Sequence, residues 1–164
     1  MLCKNLIFNE NWTRGNGKRV PYTKMIQDIK ERLSLGSKLF IGTDSFITNN
    51  KVIFASALCI HGVERGSFYF FVREKIEKKK YEALISRITE EVRRTVELAD
   101  HFNNEIGLEP HQLELHIDVS PIGAKKATSK FSDMLKGYVA GAGYECKIKP
   151  YAWASQSVAD RHSK

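Results

Sequence analysis

Four carboxylates in this chain stand where an acid is costly unless something balances it. Asp44 closes the run Leu39-Phe40-Ile41 through Gly42-Thr43, and Asp118 follows Leu113 to Ile117. On strand alternation Asp44 shares a face with Phe40 and Gly42, while Asp118 lies opposite Leu113, Leu115 and Ile117. A lone acid at the end of a buried strand carries a desolvation penalty. Two such acids on neighbouring strands invite a cation between them. A third comes from a long helical stripe of Tyr81, Leu84, Ile85, Ile88, Val92, Val96 and Ala99. With about 100° per residue, Glu91 falls about 70° from the centre of that stripe, and Glu90 about 170° away, toward solvent. Glu82 and Glu97 also fall outside it. Glu91 is the expected sheet-facing acid, with Glu90 as the alternative. The fourth, Asp160, sits one turn into a C-terminal helix, where the helix dipole alone also favours an acid.

Carboxylates brought together raise one another's pKa, and a divalent cation relieves the repulsion. Mg²⁺ or Mn²⁺ takes oxygen ligands from a few acids, water and substrate phosphates. Two such ions about 4 Å apart activate a water and stabilise the leaving oxygen of a phosphodiester. The charge balance suits that substrate. Lys and Arg number 26 against 19 Asp and Glu, for a formal net charge of +7, and residues 125–164 hold eight of the cations against three acids. Lys149, Arg161 and Lys164 could hold a phosphate backbone. Ser45 could orient Asp44 or touch phosphate. His116 and His162 lie close in sequence to Asp118 and Asp160 and could assist proton transfer, although a strand histidine is also an ordinary core residue. Trp12 and Trp153 could stack on bases. Lys75 to Lys80 and the helix lysines 125, 126 and 136 read as solvated charge.

The elements that must position these residues follow from periodicity. Residues 1–20 read as an N-terminal arm and 21–164 as one domain. A helix of about three turns starts at Pro21 and stops at Gly36. Three strands follow as an antiparallel meander: 38–44, 52–60 and 67–72. The long helix spans 78–102, a fourth strand 113–119, a second long helix 125–139 and a fifth strand 144–149. A last helix is capped by Ser155. After the leading helix the order is βββαβαβα. Strands separated by helices require parallel crossovers, so an α/β fold with a mixed five-stranded sheet flanked by helices is expected. The cysteines, Cys3, Cys59 and Cys146, are odd in number and far apart, which suits reduced thiols rather than a disulfide frame. No apolar run approaches a membrane span and no leader pattern opens the chain, so a cytoplasmic protein with no membrane partner is expected.

The motifs IGTDS at 41–45, HIDV at 116–119, GYVAGAGYECKIKP at 137–150 and ADRHSK at 159–164 resemble an uncharacterised bacterial and phage branch of the ribonuclease H-like superfamily. The resemblance covers residues 20–164. It implies a ribonuclease H-like fold with Asp44, Glu91, Asp118 and Asp160 as catalytic metal ligands, two Mg²⁺ or Mn²⁺ ions, and nuclease activity on RNA, DNA or a hybrid. No basic insertion follows the long helix, so the hybrid-binding element of some ribonucleases H is missing from the pattern. The competing reading is a nucleic-acid or protein-binding module that keeps the fold without turnover.

Overall fold

The computed structural model describes residues 11–62, 64 and 66–164. Its elements are β1 (Thr13–Arg14), α1 (Tyr22–Ser34), β2 (Lys38–Ile47), β3 (Lys51–Gly62), β4 (Gly66–Glu77), α2 (Leu84–Ile106), β5 (Leu113–Ile117), α3 (Ser132–Gly141), β6 (Cys146–Lys147) and α4 (Asp160–Ser163). A π-helical turn over Ala154–Ala159 leads into α4. The sheet has six strands, not five, in the order β1-β4-β3-β2-β5-β6. The β2-β3, β3-β4 and β1-β4 pairs are antiparallel, while β5 lies parallel to both β2 and β6. The mixed sheet expected from the helix-separated late strands is therefore present.

The sixth strand comes from the supposed arm. Thr13 and Arg14 pair with Phe71 and Phe70, and Trp12 is fully buried, with its ring edge-on to Phe102 at 6.2 Å. Trp12 is a core residue on the helix-bearing face, not a base-stacking platform. Met1 to Glu10, including Cys3, lie outside the described residues. Of the other thiols, Cys59 is buried and Cys146 half-buried.

The meander strands are longer than their apolar runs. β2 continues past Asp44 to Ile47 and β4 continues to Glu77, because hairpin pairing carries the polar ends out beyond the helices. Consequently α2 starts at Leu84 rather than residue 78. Lys78–Lys80 form a 3₁₀ turn held by Asn50, and Arg87 Nη1 takes the carbonyls of Tyr81 and Glu82. Gly107, at φ 75°, ends α2 in the left-handed conformation that favours glycine. The second long helix is also shorter, ten residues of α3 preceded by a 3₁₀ turn at Ser129–Phe131. Thr128 Oγ1 accepts the Ser120 amide and Ser129 Oγ donates to the Lys126 carbonyl. Such side-chain bonds to backbone compete with a helix in the stretch 125–131. Ser155 likewise bonds the Ala152 carbonyl and caps nothing.

The two faces of the sheet are covered unequally. Leu39 and Ile41 of β2, Leu58 and Ile60 of β3, Phe70 and Val72 of β4 and Leu113, Leu115 and Ile117 of β5 pack with the buried stripes of α1, α2 and α3. Each such fully buried aliphatic contributes roughly 2 kcal/mol of transfer free energy. The opposite face carries a small cluster of Phe40, Ala57, Cys59, Ala154 and Ala159. There the C-terminal segment comes so close that a Cβ on Gly42 would lie 2.5 Å from the Ser155 amide nitrogen. Among the described residues, no helix is long and apolar enough to cross a membrane.

Candidate active site

Register alone brings the first two acids together. β2 and β5 pair from Leu39↔Leu113 to Thr43↔Ile117. Asp44 and Asp118 are each one residue beyond the last pair, on adjacent parallel strands about 5 Å apart. Asp44 is 7% exposed and its Oδ2 accepts a hydrogen bond of 2.8 Å from Ser163 Oγ. Ser163 is fully buried, and also donates to the Asp160 carbonyl, so it ties α4 to the strand. Burial pushes the Asp44 carboxyl up to about 7; the Ser163 hydrogen bond opposes this, and the charges of Asp118 and Asp160 reinforce it. Carboxylates from three elements thus act on one another.

Glu91 reaches the same end of the sheet from α2. It is buried, and Ser45 Oγ donates to its Oε1 at 2.6 Å. Burial first, then the charges of Asp44 and Asp118, hold its carboxyl well above the usual range. Ser45, the candidate to orient Asp44 or touch phosphate, bonds Asp44 through its main chain, while its hydroxyl serves Glu91. Glu90 lies elsewhere, and it does not face solvent. It is 7% exposed and bound by Arg93 and by fully buried Arg94, which also pairs with Glu74 and stacks on Phe54 at 4.4 Å. Burial alone would raise Glu90, but Arg93 and Arg94 bring its carboxyl below the ordinary value. The helical wheel missed this because the sheet is wide: β3 and β4 extend beneath the flank of α2 and cover it.

Two lysines sit on the remaining acids. Lys149 Nζ is 2.8 Å from Asp118 Oδ1, a charge pair without hydrogen-bond alignment, since that buried oxygen has no aligned donor. Lys164 Nζ donates to Asp160 Oδ2 at 2.8 Å, and that bond, with the charges of Asp160, Asp44 and Asp118, raises its ammonium pKa. Asp160 opens α4 and lies one turn into the continuous helical segment that the Ala154–Ala159 π-helical turn begins. Arg161 is exposed.

The two candidate histidines both pack against the fold. His116 is fully buried; its Nδ1 accepts the Ala154 amide at 3.0 Å and its Nε2 meets Glu114 Oε1 at 3.0 Å. With both nitrogens used, it has no free site for proton transfer, and burial lowers its pKa despite Glu114. His162 stacks on Phe71, with centroids 3.5 Å apart and planes at 8°, and its Nε2 lies 3.0 Å from Tyr69 Oη. Trp153 packs on Phe40 and His116.

Sequence reasoning passed over Ser163 and Gly42. Ser163 is three residues after Asp160, the spacing that puts two side chains on one helix face. Gly42, within an otherwise apolar strand, signals the close approach of another backbone. Among the described residues, no group of three or more His, Cys, Asp or Glu side chains is arranged to hold a metal ion. The donor chemistry nevertheless fits a hard divalent cation: all the candidate donors are carboxylate oxygens, two are buried with raised pKa values, and two are balanced only by lysine ammonium groups. A family model described as Ribonuclease H-like matches residues 22–164. No curated protein and no solved structure matches the chain.

Proposed function

The chain belongs to the ribonuclease H-like family, and from that premise we propose that its carboxylate cluster hydrolyses phosphodiester bonds of nucleic acid with bound Mg²⁺ or Mn²⁺. The observation that carries this reading is Asp44, a strand carboxyl raised to about 7 by burial and by the charges of Asp118 and Asp160. A fold keeps such repelling acids at a cost, and a cation removes that cost. Asp44, Glu91, Asp118 and Asp160 would hold the ions. Bound, the ions supply an activated water and stabilise the leaving oxygen.

The chain's own residues do the rest. Ser45 and Ser163 fix the Glu91 and Asp44 carboxyls in place. His116, through Ala154, fixes the turn that carries Asp160. Lys149 and Lys164 neutralise Asp118 and Asp160 in the free protein, and would turn to a phosphate when a cation takes their role. Those same two ion pairs favour the second reading, a binding module without turnover, because they balance two acids with no metal.

Cleavage of labelled single strands, duplexes, hybrids and branched DNA, with Mg²⁺ or Mn²⁺ against an EDTA control, tests the proposal. Metal-dependent cutting by the wild type, lost in Asp44→Asn and Asp118→Asn variants that melt as cooperatively as the wild type, is the expected result. Salt-sensitive binding with no cutting of any substrate would leave the binding module.

A further inference from the structure

The sheet face that carries Asp44 continues toward the β2-β3 hairpin tip. Cross-strand pairing aligns it in rows, because directly paired residues share a face. One row is Asp44–Ala55–Arg73 and the next is Phe46–Ile53–Lys75. α4 reaches only the first: Ser163 binds Asp44, and Arg73 Nη2 bonds the Lys164 carbonyl at 3.2 Å. In the second row Phe46 is 40% exposed and Lys75 is exposed, on either side of buried Ile53. Among the described residues, neither Arg73 nor Lys75 pairs with a carboxylate, and Phe46 touches no other ring. At the tip itself the charge is cancelled, since Lys51 pairs with Glu77.

We propose that this row, an exposed aromatic ring with Lys75 at its β4 end and Arg73 on β4 in the next row toward Asp44, is a stacking platform for single-stranded nucleic acid. Phe46 lies two residues from Asp44, about 7 Å along the strand. A base stacked on it has its neighbouring phosphate within reach of Arg73 and Lys75 and its strand leading to the carboxylates. The ligand is a single strand because a ring standing on a sheet needs a base face, and a duplex keeps its base faces covered by stacking. Arg73, whose side chain also bonds the Lys164 main-chain oxygen, and Lys75 supply the complementary charge. The inference rests on the nucleic-acid reading of the site, but binding is separable from turnover.

Fluorescence anisotropy of a labelled oligothymidylate, in EDTA so that nothing is cut, tests it. Phe46→Ala is expected to weaken single-strand binding about tenfold or more, to leave binding of the matching duplex unchanged, and to leave the melting temperature near that of the wild type. Phe46→Trp is expected to restore affinity and to add indole fluorescence that the oligonucleotide quenches. Arg73→Gln with Lys75→Gln is expected to flatten the slope of log K against log salt by roughly 1.4. A folded Phe46→Ala variant that binds single strands as the wild type does, or that loses duplex and single strand alike, would overturn the platform. Loss of binding with no cleavage by the wild type would sink only the nuclease reading, and cleavage with variant binding unchanged would sink only the platform.

Discussion

Asp44 and Glu90 are buried to the same degree, yet their surroundings push them in opposite directions. Glu90 is matched by two guanidinium groups, so its charge is structural. Removing it leaves buried Arg94, whose Nη2 already lacks a partner, balanced by Glu74 alone. Glu90→Gln is expected to destabilise the fold by about 3 kcal/mol and, on the nuclease reading, to leave the cleavage rate of the folded protein unchanged. Glu91→Gln is expected to do the reverse. Urea melts beside cleavage rates distinguish the two. Asp44 has a pH signature of its own. Its folded pKa, about 7, lies above the ordinary 3.8, so ionisation penalises the fold progressively between those values and fully above them. In EDTA, Asp44→Asn is therefore expected to raise the melting temperature at pH 8. The gain, of order a few kcal/mol, should vanish at pH 4. A melting series across that range checks both limits.

The bare face of Gly42, the His116 bond to Ala154 and the Ser163 bond to Asp44 hold the C-terminal turn and α4 to the sheet, beside the His162 contacts with Phe71 and Tyr69 and the Arg73 bond to Lys164. Gly42→Ala would push Ser155 outward, at about 2 kcal/mol, and would move Asp160 away from Asp44. Hydrogen exchange over residues 152–164 is expected to accelerate while α2 keeps its protection. Equal loosening of both would show that the contact supports the whole core instead. Elements of this kind mark the limit of what could be read from the sequence. The long helix, the meander and the late strands were legible because their apolar residues repeat with a clear period. The π-helical turn, the shortened α3 and the two-residue β1 were not, and β6 keeps only Cys146–Lys147 of the expected 144–149, because side-chain bonds to backbone and pairing with distant strands decide them. At the site, Asp44 and Asp118 were legible from their position at the ends of apolar strands. The bonds of Ser163 and Ser45 were not, since each depends on where a distant helix lands.

Across the whole molecule, the proposed function gives the net charge of +7 and the carboxylates complementary roles: the first would draw a polyanion in, and the second would need a cation before a phosphate could approach. The family match over residues 22–164 sets this arrangement in a ribonuclease H-like frame. The central claim is that the cluster is a divalent-cation site. A metal ligand must be deprotonated, so binding at a carboxyl with a pKa of about 7 releases protons near neutral pH. Calorimetric titration of the wild type with Mn²⁺ at pH 6.5, in two buffers of different ionisation enthalpy, tests this directly. Saturable binding with net proton release, both lost in Asp44→Asn, is the predicted result. No saturable heat at millimolar Mn²⁺, or the same isotherm in Asp44→Asn, would contradict it.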